Sequence, residues 1–354
     1  MRKKELLISI FFYMMNKIVV ILKMKKIISL FFLLTLLFYG CRKDEPDLYT
    51  LGIFWFTDAP TLNDVRRGVT SALEDNGLFD KANIRLDLRN AKGSIPEAQK
   101  IARELVADEV DMIIVFSTPC LQAVLHATRT IPIVFSSVAN PFLAGAGKSV
   151  DDHLSNVTGI SSRGPIKECL LFIKEVLPEV KTIGTLWTPS ELNSGYYLEL
   201  VRKGAEELNM EVKAVSIASA NEILLSAQVL INEKIDAIYQ ISDNTINATF
   251  EVMGRVAEEN AIPLFGGFPP HTRNGACAAM GWDFYAMGYK AGQMALQVKN
   301  GKSPNDIPIQ YMTEIKLHLN LEAARKQGIV FASDIIERAD EIINQERRNV
   351  YTIE

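Results

Sequence analysis

From Tyr49 onward, short apolar runs alternate with longer stretches in which apolar positions recur every three or four residues. LGIFWF, 51–56, has the length and continuous apolarity of a strand buried on both faces. In 62–76, Val65, Val69, Ala72 and Leu73 fall on one side at helical spacing, and Gly77 stops the helix. The pattern then predicts strand 84–88, helix 96–107, strand 112–116, a short helix over 121–127 and strand 133–135. After the loop 141–155 and the run NVTGI, a helix over 166–177 opens a second series. It comprises strand 182–187, helix 194–208, strand 211–215, helix 221–231, strand 237–239, helix 246–260 and strand 263–265. Strand 276–280, helix 284–299, the turn GKSPND and strand 309–315 follow, then 321–327, and the charged tail from Ser333 is expected to be a peripheral helix.

Nearly continuous apolar strands need helices over both faces, so a repeated strand-helix alternation implies a mostly parallel sheet. Two such series of similar length, joined near residue 160, predict two α/β lobes. A chain of 354 residues is long enough for two cores. Its 48% hydrophobic and 23% charged residues exclude a disordered polymer.

The first 41 residues break this pattern. Met24 to Cys41 reads MKKIISLFFLLTLLFYGC: two lysines, an apolar stretch over 27–39, then Gly40 and Cys41. That stretch is short for spanning ~30 Å of hydrocarbon but has the length of a signal-peptide core. It resembles a bacterial lipoprotein signal, in which the cysteine becomes the lipidated first residue, although Phe38 and Tyr39 are bulky for the positions before the cleavage site. An uncleaved anchor or a transmembrane hairpin is the alternative. Residues 1–23 are basic and apolar too, and read either as an extension from an upstream start codon or as part of a long signal. RKDEPDL, 42–48, reads as a polar tether.

Charge follows the same division. Seven of the 38 basic residues but one of the 42 acidic ones precede Cys41, which leaves 31 against 41 and a net charge of −10 on the rest. An acidic body is poorly suited to nucleic acid, whose recognition depends on neutralising phosphates. Cys120, Cys169 and Cys277 form no CxxC pair, and with four histidines and no HExxH run no metal site or cofactor is expected. No GxSxG elbow, GxxxxGK[ST] loop or GxGxxG turn is present, so hydrolase, ATPase and dinucleotide chemistries lack their usual parts and no catalytic residue is assigned.

Seven segments together carry a resemblance: 51–77, DMIIVFSTPCLQAVLHAT at 111–128, IPIVFSSVANP at 131–141, NVTGIS at 156–161, KTIGTLWTPSELNS at 181–194, DAIYQISDNT at 236–245, and 281–309 beginning GWDFYAMGYKAG. They are similar to substrate-binding lipoproteins of ABC importers, the group that includes tryptophan- and other amino-acid-binding proteins of the type I periplasmic-binding fold. The resemblance implies two lobes joined by hinge crossovers: 49–160 plus about 283–305 as lobe 1, 161–282 plus about 306–330 as lobe 2, and 331–354 as a helical tail. It implies a small-molecule solute, an aromatic or apolar amino acid, held between the lobes and presented to an ABC permease and ATPase at the outer face of the cell membrane. A lipoprotein of the same fold that senses its ligand through a partner is the alternative.

Ligands of open α/β sheets bind beyond the carboxyl ends of the strands. Candidate contacts are therefore Ser117 and Thr118, whose hydroxyls and backbone N–H groups at a helix start suit an α-carboxylate or simply cap the helix, and Ser136, Ser137 and Asn140 after the next strand. Asn140 stands where many relatives have Asp before Pro. In the second lobe Ser242, Asp243, Asn244 and Thr245 occupy the equivalent edge, with Asp243 either accepting from a ligand amine or capping the next helix. Asp283 is the preferred partner for an α-amino group. Trp55 and Phe56 face opposite sides of their strand, so one belongs to the pocket and the other to the core. Phe268 and His271 fall in a loop at the rim, where His271 reads equally as a solvated residue.

Overall fold

The computed structural model describes residues 48–343 and seven helical positions nearer the N-terminus, namely Phe11, Tyr13, Met14, Met15, Lys17, Met24 and Lys25. Cys41, most of the tether and the tail beyond Ile343 lie outside the described residues. Among the described residues no helix is long and apolar enough to cross a membrane.

The first sheet holds β1 (Tyr49–Trp55), β2 (Ile84–Asn90), β3 (Met112–Phe116), β4 (Ile133–Val138), β5 (Val157–Ser161) and β11 (Gln310–Tyr311). Its order is β11-β5-β4-β3-β1-β2, and every pairing is parallel. Helices α1 (Pro60–Asp75), α2 (Ile95–Ala107) and α3 (Thr118–Ala127) connect its strands. Strand alternation divides the core. Leu51, Ile53 and Trp55 pack with Val65 and Val69 of α1, whereas Phe54 and Phe56 pack on the opposite face with Ile101, Leu105 and Leu121 of α2 and α3.

The second sheet has the order β13-β12-β10-β9-β8-β6-β7. Its members are β6 (Thr182–Trp187), β7 (Glu211–Ser216), β8 (Ala237–Gln240), β9 (Leu264–Gly266), β10 (Ala278–Trp282), β12 (Ile315–Asn320) and β13 (Glu341–Ile343). Only the β10–β12 pairing is antiparallel. Helices α4 (Ile166–Val176) and α5 (Leu192–Glu207) cover one face and α6 (Ile223–Asn232) the other, with α7 (Asn244–Asn247) and α8 (Glu251–Glu259) between β8 and β9.

After β10 the chain returns to the first lobe through α9 (Phe284–Lys299), which packs along α1. The approach is close enough to require glycine. A Cβ on Gly288 would lie 2.0 Å from the Val65 carbonyl oxygen, and one on Gly68 would lie 2.1 Å from that of Tyr285. The chain crosses between lobes at 162–165, at Asp283 and at 312–314.

Three elements differ from the sequence pattern. The single strand expected over 309–315 is two: Gln310–Tyr311 pairs with β5 in the first sheet, and the chain crosses before Ile315 enters the second. Apolar periodicity does not register a change of sheet. The helix expected over 246–260 is broken into α7 and α8. The tail contains one helical turn, α11 (Ser333–Glu337), after α10 (Leu321–Lys326), but Glu341–Ile343 is an edge strand parallel to β12 rather than more helix. Tertiary pairing supplies the backbone partners a three-residue strand cannot supply for itself.

Candidate functional site

The carboxyl ends of the two sheets face each other across a narrow cavity. The first lobe contributes Thr61 and Leu62 from the start of α1, Thr118 from the start of α3, Ser137 and Ala139 after β4, and Ser162 at the first crossing. The second contributes Asn193, Ser242, Asn244 and Asn247. Phe268 and Phe284 close one side, edge to face with ring centroids 4.7 Å apart. The wall is therefore made of hydroxyls, amides and apolar side chains, and contains no charged side chain.

Two helix starts aim into this space without side-chain caps. Ala59 precedes α1 and offers no oxygen, and Pro60 at its first position has no N–H, which leaves Thr61 and Leu62 as the first-turn donors. Ser117 precedes α3 and its side chain makes no capping bond. The Thr118 hydroxyl accepts from the Ala139 backbone N–H at 3.4 Å, joining the two strand ends. Ser117 and Ser137 are held at φ 83° and 59°, in the left-handed region that non-glycine residues rarely adopt. Each such residue costs about 1–3 kcal/mol, and positions of this kind cluster at ligand clamps. Ser137 lies within the register shift of β4 against β5 between Phe135 and Val138.

The second-lobe wall rests on a carboxylate that the sequence pattern did not single out. Glu191, 2% exposed, precedes α5. Its Oε2 accepts from Asn193 Nδ2 at 3.0 Å, from the Asn244 backbone N–H at 3.0 Å and from Asn244 Nδ2 at 2.6 Å. Its Oε1 accepts from the Thr245 backbone N–H at 2.9 Å and its hydroxyl at 2.8 Å. The legible signal was an acid after a strand and one residue before a helix, but Asn244, which it holds, lies 53 residues away.

Of the residues expected from sequence, Thr118, Ser137, Ser242, Asn244 and Phe268 meet at the cavity. The others do not line it. Trp55 and Phe56 are both core, on opposite faces of the first sheet, so neither is the pocket member of the pair; the Trp55 indole donates to Asp58 at 3.0 Å. Ser117 and Ser136 are buried behind the wall. Asn140 Oδ1 accepts from the backbone N–H groups of Phe142 and Leu143, both at 3.1 Å, and so shapes its own turn. Thr245 is turned to Glu191. Asp243 caps α7 through Ile246 N–H at 2.9 Å and accepts from Thr188 N–H at 2.8 Å. Burial, with the Glu191 charge adding to it, pushes its carboxyl up to about 7. Asp283 caps α9 through Ala286 N–H at 2.9 Å and borders a separate charged groove with Arg67, Arg273 and Lys316. An acid immediately before a helix finds the helix's own free N–H groups first. His271 is not a rim residue either: it is 3% exposed, stacked on Phe250 at 3.8 Å, with Nε2 3.0 Å from Asn247 Oδ1, and burial pushes its pKa down to about 3.

Two α/β lobes with parallel sheets, joined by three crossings and enclosing a polar cavity between opposed strand ends, define a solute-binding protein of the type I periplasmic-binding class. Residues 50–343 match the family of ABC transporter substrate binding proteins, and the chain belongs to that family. It is a binding protein and not an enzyme. It is 34% identical over 279 residues to a tyrosine-binding protein of Clostridioides difficile (strain R20291), spanning 79% of this chain and 81% of the relative. The ABC domain from Streptococcus pneumonia in complex with L-Trp superposes with a TM-score of 0.80 at 27% identity, over 84% of this chain and 100% of that one. The ligand-free, open structure of a substrate-binding protein with adhesive properties from Clostridium difficile is slightly more similar in sequence, at 30%, over the same shares of the two chains, yet its TM-score is 0.64.

Proposed function

We propose that this chain is the exported, lipid-anchored component of an ABC importer that captures an aromatic or apolar α-amino acid between its lobes and presents the closed form to a permease and ATPase. The observation that carries this reading is the cavity wall itself. Two uncapped helix starts at Thr61, Leu62 and Thr118 offer backbone donors and a positive field suited to a carboxylate. Across from them Asn193 Oδ1, buried and with no hydrogen-bond partner among the described residues, calls for a donor. Phe268, Phe284 and Leu62 give the remaining wall an apolar character suited to a hydrocarbon side chain. A molecule that is anionic at one end, a donor at another and apolar at the third is an α-amino acid. The relatives that bind tyrosine and L-Trp support the aromatic subset.

Contacts to both lobes favour closure because a ligand stabilises whichever arrangement it touches more. The family description supports transport over the sensing alternative. Native mass spectrometry of the purified protein, followed by calorimetry across the proteinogenic amino acids, tests the ligand class: binding confined to amino acids is expected, and absence of binding to any of them overturns the reading. Anchoring through Cys41 is tested separately by intact mass of the membrane-extracted protein. A chain beginning at a diacylated Cys41 is expected, and one beginning at unmodified Met24 or Met1 overturns the anchor.

A further inference from the structure

If the ligand is an α-amino acid, its ammonium group needs acceptors, and the carboxylate that the sequence offered for it, Asp283, is occupied in capping α9 outside the cavity. Asp243 is likewise occupied by Thr188 and Ile246. We infer that the ligand's ammonium group is received by the amide oxygens of Asn193 and Asn244, held toward the cavity by the buried carboxylate of Glu191.

The argument begins with the direction of each amide. An ionised carboxylate has acceptors only, so the amide atom within hydrogen-bond distance of it must be the nitrogen in both asparagines. Asn193 Nδ2 at 3.0 Å and Asn244 Nδ2 at 2.6 Å meet the same oxygen of Glu191. Neither amide can flip without setting an oxygen against that carboxylate. Both side chains line the cavity, and with the nitrogens committed to Glu191 it is the oxygens that remain for a ligand. Asn193 is 5% exposed, and its Oδ1 is buried with no hydrogen-bond partner among the described residues. A buried acceptor in that state carries an unmet desolvation cost that a donor from a ligand relieves.

Glu191 does not itself contact the ammonium. Its two oxygens already accept five hydrogen bonds, which exceeds the roughly four lone-pair sites of a carboxylate. It acts through the amides instead. Its charge polarises them, which concentrates negative potential at their oxygens, and it leaves a full negative charge one amide behind the cation in a water-poor site. A group with three donors and no acceptor fits this pair of oxygens, and a carboxylate or a carbonyl does not. Glu191 is therefore a positioning residue, and Asn193 and Asn244 are the contacts.

This inference rests on the amino-acid reading, and a paired-ligand experiment separates the two. Calorimetric affinities are measured for L-phenylalanine, L-tyrosine and L-tryptophan and for the three matching 3-arylpropanoates, which differ only in lacking the amine. The native protein is expected to prefer the tightest amino acid over its propanoate by tenfold or more. Glu191→Gln is expected to reduce that preference at least fivefold while propanoate affinity stays within about twofold. Asn193→Ala removes one acceptor, leaves the carboxylate in place, and is expected to erode the same preference, so the test survives a Glu191 variant that does not fold. Equal weakening of amine and propanoate in the variants would mean that Glu191 and Asn193 only support the fold, and would overturn the inference alone. Equal affinity of the native protein for both members of a pair would do the same, whereas failure to bind any amino acid would overturn the inference together with the reading beneath it.

Discussion

The indole N–H of Trp282 donates to the backbone carbonyl of Arg163 at 2.9 Å. Trp282 ends β10 just before the second crossing between lobes, and Arg163 lies within the first, so a single bond ties two of the three hinge segments. The first crossing is fastened again from the second lobe: the Tyr197 hydroxyl donates to the Ser162 carbonyl at 2.6 Å and accepts from the Gly164 N–H at 3.2 Å. Opening and closing rotate the lobes about these segments.

Replacing Trp282 with Phe keeps an aromatic ring, though a smaller one, and removes the donor. Global stability is expected to fall by about 1 kcal/mol, since a part-buried hydrogen bond is lost. The unliganded lobe angle is expected to change as well. Urea denaturation reads the first effect and small-angle scattering without ligand the second; an unchanged scattering curve would confine the bond to stability.

Gly288→Val tests the return of α9 to the first lobe. The added side chain starts where a Cβ already falls 2.0 Å from the Val65 carbonyl oxygen, and backbone on both sides prevents local relief. Destabilisation of at least ~1–3 kcal/mol is expected, as for overpacked cores, with soluble yield falling in parallel. Thermal unfolding gives the measurement.

Two buried groups give the protein opposing pH dependences. His271, whose pKa falls from 6.5 to about 3 on folding, stays neutral where the unfolded chain binds a proton, so its contribution is complete above 6.5 and is lost as pH falls toward 3. Asp243 rises from 3.8 to about 7, so its contribution is complete below 3.8 and is lost as pH rises toward 7. Between 3.8 and 6.5 the slopes, about 1.4 kcal/mol per pH unit for one proton each, nearly cancel. Chemical denaturation at several pH values in this window is expected to show stability falling with rising pH in His271→Gln and rising with pH in Asp243→Asn. Parallel slopes in the two variants would contradict the assignment.

Phe284→Leu probes the apolar wall. An aromatic contact is worth about 0.5–1.5 kcal/mol beyond its area. Affinity for aromatic amino acids is expected to fall by that amount while affinity for leucine and valine changes little. Calorimetry on both sets decides it, and equal losses would place Phe284 among the residues that only close the cavity.

Much of the architecture was legible because its cause is local. Helical spacing of Val65, Val69 and Leu73, and strand alternation through Ile53, Phe54 and Trp55, follow from which positions must avoid water, and these are fixed by neighbours a few residues apart. The same logic pointed to the strand ends, where Thr118, Ser137 and Asn244 line the cavity. It failed where a polar residue had two local options. Asp283, Asp243 and Asn140 each precede free backbone N–H groups, and in each case those nearby donors took the side chain that sequence reasoning had offered to a ligand.

The order of apolar and polar residues by itself determined two parallel α/β lobes and the ends at which they meet. Only the tertiary structure decided which side chains face the space between them, because that depends on partners far apart in the chain: Glu191 with Asn244, His271 with Asn247, Phe268 with Phe284. Hydrophobic burial is written in the periodicity of one segment, whereas the direction of a buried amide is set by whichever donor or acceptor the fold brings against it.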